Sequence, residues 1–102
     1  MEIPKKIKTK SLEKKRTSIL TDDLTTCIEC GRKKQHIHEV YYGKNRRTSM
    51  LYGFCIPLCY ECHNIIHNNN ELEKKYKRSC QEEFEKIHTR EEFISIIGRN
   101  YL

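Results

Sequence analysis

Cys59-Tyr-Glu-Cys62-His63-Asn-Ile-Ile-His67 is the stretch on which the reading of this chain turns. Two thiols three residues apart are followed at once by two imidazoles four apart. On a helix, positions i and i+4 share a face, so His63 and His67 are expected to point at one spot. Upstream, Cys27-Ile-Glu-Cys30 supplies a second pair of thiols, followed by Gly31 and a basic cluster. Cys-x2-Cys occurring twice is the spacing of a four-thiolate zinc site. Four thiolates satisfy zinc and leave no open position, so an ion held by Cys27, Cys30, Cys59 and Cys62 is structural. The helical histidines are then left for other work. Their nearest company in the sequence is His36-Ile-His38-Glu39.

The totals agree with a metal staple. The chain has 102 residues, 36% hydrophobic and 33% charged, with no Trp. A core this small gains much from a structural ion. The competing framework is disulfides, but paired Cys-x2-Cys spacing without a leader or a long apolar run favours zinc, reduced thiols and a cytoplasmic location. Cys55 and Cys80 stand outside the pattern and read as small buried apolar residues.

The formal charge is +6. Residues 1–20 hold +5 of it, and residues 32–47 carry six Lys/Arg against Glu39 alone. Two basic zones flanking a metal motif point to a polyanionic partner; a solubilising tail and a solvated face are the plain alternative. Residues 1–22 read as a mobile basic arm, with a transient helix from Ser11, and residues 23–102 as one α+β domain.

Within that domain the expected order is knuckle, strand, loop, strand, knuckle, helix. Gln35 to Tyr42 alternates as a strand, with His36, His38 and Val40 on one face and Ile37, Glu39 and Tyr41 on the other. Lys44 to Met50 reads as a basic loop. Phe54 to Leu58 reads as a second strand, with Pro57 marking an edge or an end. Leu72, Tyr76, Cys80, Phe84 and Ile87 form one stripe of an amphipathic helix. Thr89 to Glu92 is a capping box for a last helix through Ile97, stopped by Gly98. His88 reads as a plain surface histidine.

The strand and the helix together offer a second metal site of His38, His63 and His67, with His36 as the substitute for His38. Three imidazoles leave positions open for water and substrate, and such an ion can polarise a phosphate.

The run of Cys27 and Cys30, His38-Glu39-Val40, and Cys59, Cys62, His63 and His67 resembles the HNH endonucleases. Tyr42-Gly43-Lys-Asn45-Arg46-Arg47, Tyr52-Gly53 and Gly98-Arg99-Asn100-Tyr101-Leu102 are similar to small HNH proteins of phages and prophages of Gram-positive bacteria. The resemblance covers about residues 25–102. It implies a ββα-metal core stapled by the four-cysteine zinc, with C-terminal helices, and hydrolysis of DNA phosphodiester bonds in the bacterial host cytoplasm. It implies His38, His63 and His67 as ligands of a catalytic Mg²⁺, Mn²⁺, Ni²⁺ or Zn²⁺, and catalysis by His38, Glu39 and His63. Glu39 stands where the family carries its general-base histidine, and the family's middle Asn has no obvious counterpart. Lys44, Arg46 and Arg47 are expected to clamp DNA phosphates. The alternative is an inactive HNH-fold zinc protein that binds DNA or a protein partner in phage regulation or defence evasion. A homodimer or a phage protein partner is compatible with either reading, and neither needs a membrane.

Overall fold

The computed structural model describes the backbone from residue 9 and the side chains from residue 11, to residue 102; the part of the basic arm before that lies outside the described residues. The elements run α1 (Thr9–Lys14), β1 (His36–Glu39), a 3-10 turn (Gly43–Asn45), α2 (Arg46–Tyr52), β2 (Cys55–Leu58), α3 (Tyr60–His67), α4 (Asn70–Phe84) and α5 (Arg90–Ile97). This is a small α+β fold around one two-stranded sheet. β1 and β2 are antiparallel, with His36 opposite Leu58 and Glu39 opposite Cys55. Among the described residues no helix is long and apolar enough to cross a membrane.

The sheet separates two apolar groups. On one side Phe54, Phe84, Phe93, Ile56, Leu58 and Ile66 form the main core. Their rings meet edge to face, Phe54 to Phe84 at 5.8 Å and Tyr41 to Phe54 at 5.2 Å. Each fully buried side chain of this size contributes about 1.5–3 kcal/mol. On the other side Leu12, Met50 and Cys55 make a smaller cluster that also takes in Ile37. Cys55 and Cys80 are both fully buried. The expected strand alternation holds: Ile37 joins the smaller cluster, while His36 and His38 pack towards α3.

Three sequence expectations need correction. The segment after Gly43 is a 3-10 turn and a helix, not a loop. Ser49 misled the reading because it is buried by bonding to backbone: its Oγ donates to Tyr41 O at 2.6 Å and accepts from Tyr41 N. The α4 stripe stops at Phe84, where the helix ends, so Ile87 is 82% exposed. His88 is half-buried, stacked on Phe84 at 4.4 Å, with Nδ1 3.2 Å from Glu92.

The described part of the expected arm is docked. Leu12 is buried, Arg16 reaches Glu39 at 2.6 Å, and Ile19 N donates to Gly53 O at 2.7 Å. Gly53 ends α2 at φ 76°. A Cβ there would lie 3.1 Å from Thr17 Oγ1 and 3.3 Å from Ile19 N, so only glycine suits both the dihedral and the approach.

Candidate metal centres

The first knuckle is shaped by its backbone. Cys27 N donates to Arg32 O at 2.7 Å, and Gly31 N returns to Cys27 O at 3.0 Å with Gly31 at φ 81°. A bridge between Thr26 and Lys33 closes the turn. Tyr76 of α4 donates its hydroxyl to Glu29 and ties the knuckle to the core. In the second knuckle Cys59 is the N-cap of α3, and its sulfur accepts from Cys62 N at 3.4 Å. Arg32 and Glu61, 2.7 Å apart, link the knuckles at the surface.

The four sulfurs of Cys27, Cys30, Cys59 and Cys62 lie within 4.8 Å of one another. Cys30 and Cys59 approach to 3.6 Å. Zinc–sulfur bonds of ~2.3 Å give a tetrahedron with an S–S edge of roughly 3.8 Å, whereas a disulfide needs ~2.05 Å. All six cysteines are free. The cluster could therefore hold a structural ion such as zinc. Burial pushes the Cys27 thiol up, but the amides of Cys59, Cys30 and Glu29 outweigh it and bring it down to about 6. Burial, with the thiols of Cys59, Cys30 and Cys27 alongside, drives Cys62 the other way. Cys27 is thus drawn towards the thiolate and Cys62 towards the thiol, and four sulfurs at this spacing are a donor set that a divalent cation would complete.

The second group gathers His38 from β1 with His63 and His67 from α3, their ligand nitrogens within 4.8 Å. The Nε2 atoms of His63 and His67 are 3.2 Å apart, as one helical turn dictates. The His38 ring stands edge-on to both, at 5.4 and 5.5 Å. Burial, aided by the charges that His63 and His67 would carry, lowers His38 to about 4; burial and His67 also lower His63. Neutral imidazole is the form that binds metal. His67 is exposed, which leaves the group open to solvent. His36 lies outside it, stacked on His63 at 4.6 Å.

Glu39 is not in this group. It takes the opposite strand face from His38, 14% exposed, against Arg16 at 2.6 Å and Arg46 at 3.3 Å. Arg46 in turn bonds Glu13 of α1. Lys44 is exposed on the 3-10 turn and Arg47 is half-buried on α2.

Sequence reasoning missed the polar neighbours of His38. The Tyr42 ring is 6.3 Å from His38, and its hydroxyl donates to Glu73 at 2.7 Å, while Lys77 meets Glu73 at 2.6 Å. The i,i+4 spacing of Glu73 and Lys77 was a visible signal for their pair; nothing local placed them against Tyr42. The chain matches no family model, no curated protein and no solved structure.

Proposed function

We propose that the chain is a metal-dependent endonuclease of the HNH kind, phage-encoded, that hydrolyses DNA phosphodiester bonds in the bacterial host cytoplasm. The observation that carries this reading is the convergence of His38, His63 and His67 on one strand–strand–helix unit, beside a separate thiol cluster that ties the start of its helix to the knuckle before its first strand. A divalent ion bound there supplies Lewis acidity to a phosphate oxygen and to the leaving alkoxide. Three imidazoles suit Ni²⁺ or Zn²⁺ better than Mg²⁺ or Mn²⁺, which favour oxygen ligands. His38, kept neutral by burial, presents a lone pair. Glu39, next in sequence but on the other strand face, is the candidate acceptor of the water's proton only once it leaves Arg16 and Arg46 and turns towards the imidazoles. Lys44, Arg46 and Arg47 are the candidate phosphate contacts.

A second reading is a zinc-stabilised protein that binds DNA or a protein partner without cleaving. It is favoured by one observation: the Glu39 carboxylate is occupied by two guanidinium groups. In the nuclease reading, DNA phosphates compete for Arg16 and Arg46 and release Glu39.

Nicking of supercoiled plasmid with Mg²⁺, Mn²⁺, Ni²⁺ or Zn²⁺, against a chelator control, separates the two. The nuclease reading expects open circles that appear with metal and are lost with chelator. Binding without nicking under every metal would establish the second reading.

A further inference from the structure

Beyond the imidazole group, α4 and the tail after α5 enclose a groove of about 270 Å³. Lys74, Lys77 and Arg78 line it from α4, at positions i, i+3 and i+4 that share one helical face. Arg99 lines it from the tail. Against these four cations stands one carboxylate, Glu73, which already accepts from Lys77 at 2.6 Å and from the Tyr42 hydroxyl at 2.7 Å.

The tail is held where it is by a buried polar side chain. Gln81 is fully buried, and its Nε2 donates to Asn100 Oδ1 at 2.7 Å while its Oε1 accepts from Tyr101 N at 2.8 Å. The Arg99 guanidinium lies over the Tyr101 ring at 4.9 Å, and Lys77 lies over the same ring at 5.4 Å. Among the described residues Lys74, Arg78 and Arg99 make no ion pair, unlike Arg16 and Arg46, which are engaged with carboxylates. Uncompensated cations brought together from two elements, in a concave setting, define an anion site. The groove also borders the imidazoles: Glu73 lines it and bonds Tyr42, whose ring is 6.3 Å from that of His38.

We infer that this groove is a docking site for the sugar–phosphate backbone of DNA, flanking the phosphate presented to the imidazole group. The choice of DNA rests on the nuclease reading. The contacts are charge and hydrogen bonds to phosphate, so they position the strand without reading bases.

The test is binding of a short labelled DNA duplex by fluorescence anisotropy over about 50 to 200 mM salt, with no divalent ion added. Each phosphate contact contributes ~0.9 to the slope of log affinity against log salt. Arg78→Gln with Arg99→Gln is expected to flatten that slope by about 1.8 and weaken binding, with zinc content and circular dichroism unchanged. Lys86→Gln with Arg90→Gln, one between α4 and α5 and one at the start of α5, outside the groove lining, removes the same charge and should leave the slope as it was. Lys74→Gln with Arg78→Gln, both exposed, repeats the test without touching the tail. An unchanged slope in both groove variants, or equal flattening by the Lys86 and Arg90 control, would overturn the assignment, as would a wild type that does not bind DNA. A wild type that binds with this groove-dependent slope but never nicks removes the nuclease reading and leaves the groove standing.

Discussion

The Arg16 guanidinium lies 2.6 Å from the Glu39 carboxylate, joining α1's flank to the strand that carries His38. Both side chains are largely enclosed, 20% and 14% exposed. Exposed pairs are worth about 0–1 kcal/mol, and breaking a buried one costs about 3–5. Arg16→Ala is therefore expected to cost about 1–2 kcal/mol in urea unfolding. Glu39→Gln keeps the shape but removes proton acceptance together with the charge that Arg16 and Arg46 meet. If Glu39 is the base, nicking should fall by about 10²–10⁴-fold, and far less in Arg16→Ala, which loses the ion pair but keeps the carboxylate. Equal nicking by wild type and Glu39→Gln at every metal concentration would take Glu39 out of the chemistry.

Leu12 gives a direct reading of whether the N-terminal segment is part of the domain. Its side chain is 6% exposed against Met50 and Cys55. Leu12→Ala should lower stability by about 2 kcal/mol, at the low end for a buried leucine because the cluster is small. An unchanged melting temperature would make residues 9–16 a detached arm.

Cys59 is both a thiol of the cluster and the N-cap of α3. Cys59→Ser keeps a capping oxygen but removes one of four sulfurs. Structural zinc contributes on the order of 10 kcal/mol in small zinc peptides. The variant should be unfolded or aggregated and hold less zinc than wild type. A folded Cys59→Ser protein with an unaltered melting curve would show that no ion staples the knuckles.

His67 is exposed at the end of α3, so its loss should spare the fold. His67→Ala is expected to retain one tightly bound zinc, lose the second metal equivalent in a titration, and lose nicking. Loss of both equivalents together would mean that the two groups do not bind independently.

Glu73 supplies a pH test. Burial raises its carboxyl, but the bonds from Lys77 and Tyr42 prevail and hold it below the usual carboxylate value. A depressed carboxylate stabilises the fold above its unfolded pKa of about 4.5, and that stability is lost as pH falls through the lower folded value. Glu73→Gln should thus cost on the order of 1 kcal/mol at neutral pH. The gap from wild type should close as the pH falls from the ordinary carboxylate value through the lower folded one. A gap that is constant with pH would assign the effect to packing.

Local spacing made much of this molecule legible. Cys-x2-Cys and the i,i+4 histidines are short-range patterns, and their geometry follows from one turn or one helical repeat. The alternation of His36 to Glu39 likewise told which side chains face α3. What escaped was whatever depends on contacts across the chain. Ser49 looks like a loop residue until Tyr41's backbone is beside it. Arg16 looks like part of a disordered arm until Glu39, 23 positions on, meets it. Gln81 is polar in a helix with no local reason for burial, and its partners Asn100 and Tyr101 come from the tail.

Cys62 and His63 are consecutive on α3, yet one belongs to the thiol group and the other to the imidazole group. The two centres are in that sense geared to a single shaft. At about 3.6 residues per turn, one residue inserted between them would rotate everything beyond by about 100°. The sulfurs would keep their places, and the two histidines would be swung away from His38. An insertion among Asn68 to Asn70, past His67, would leave both sets meshed. Length changes are thus disruptive from Cys62 to His67 and tolerated from Asn68 on, for reasons of phase alone.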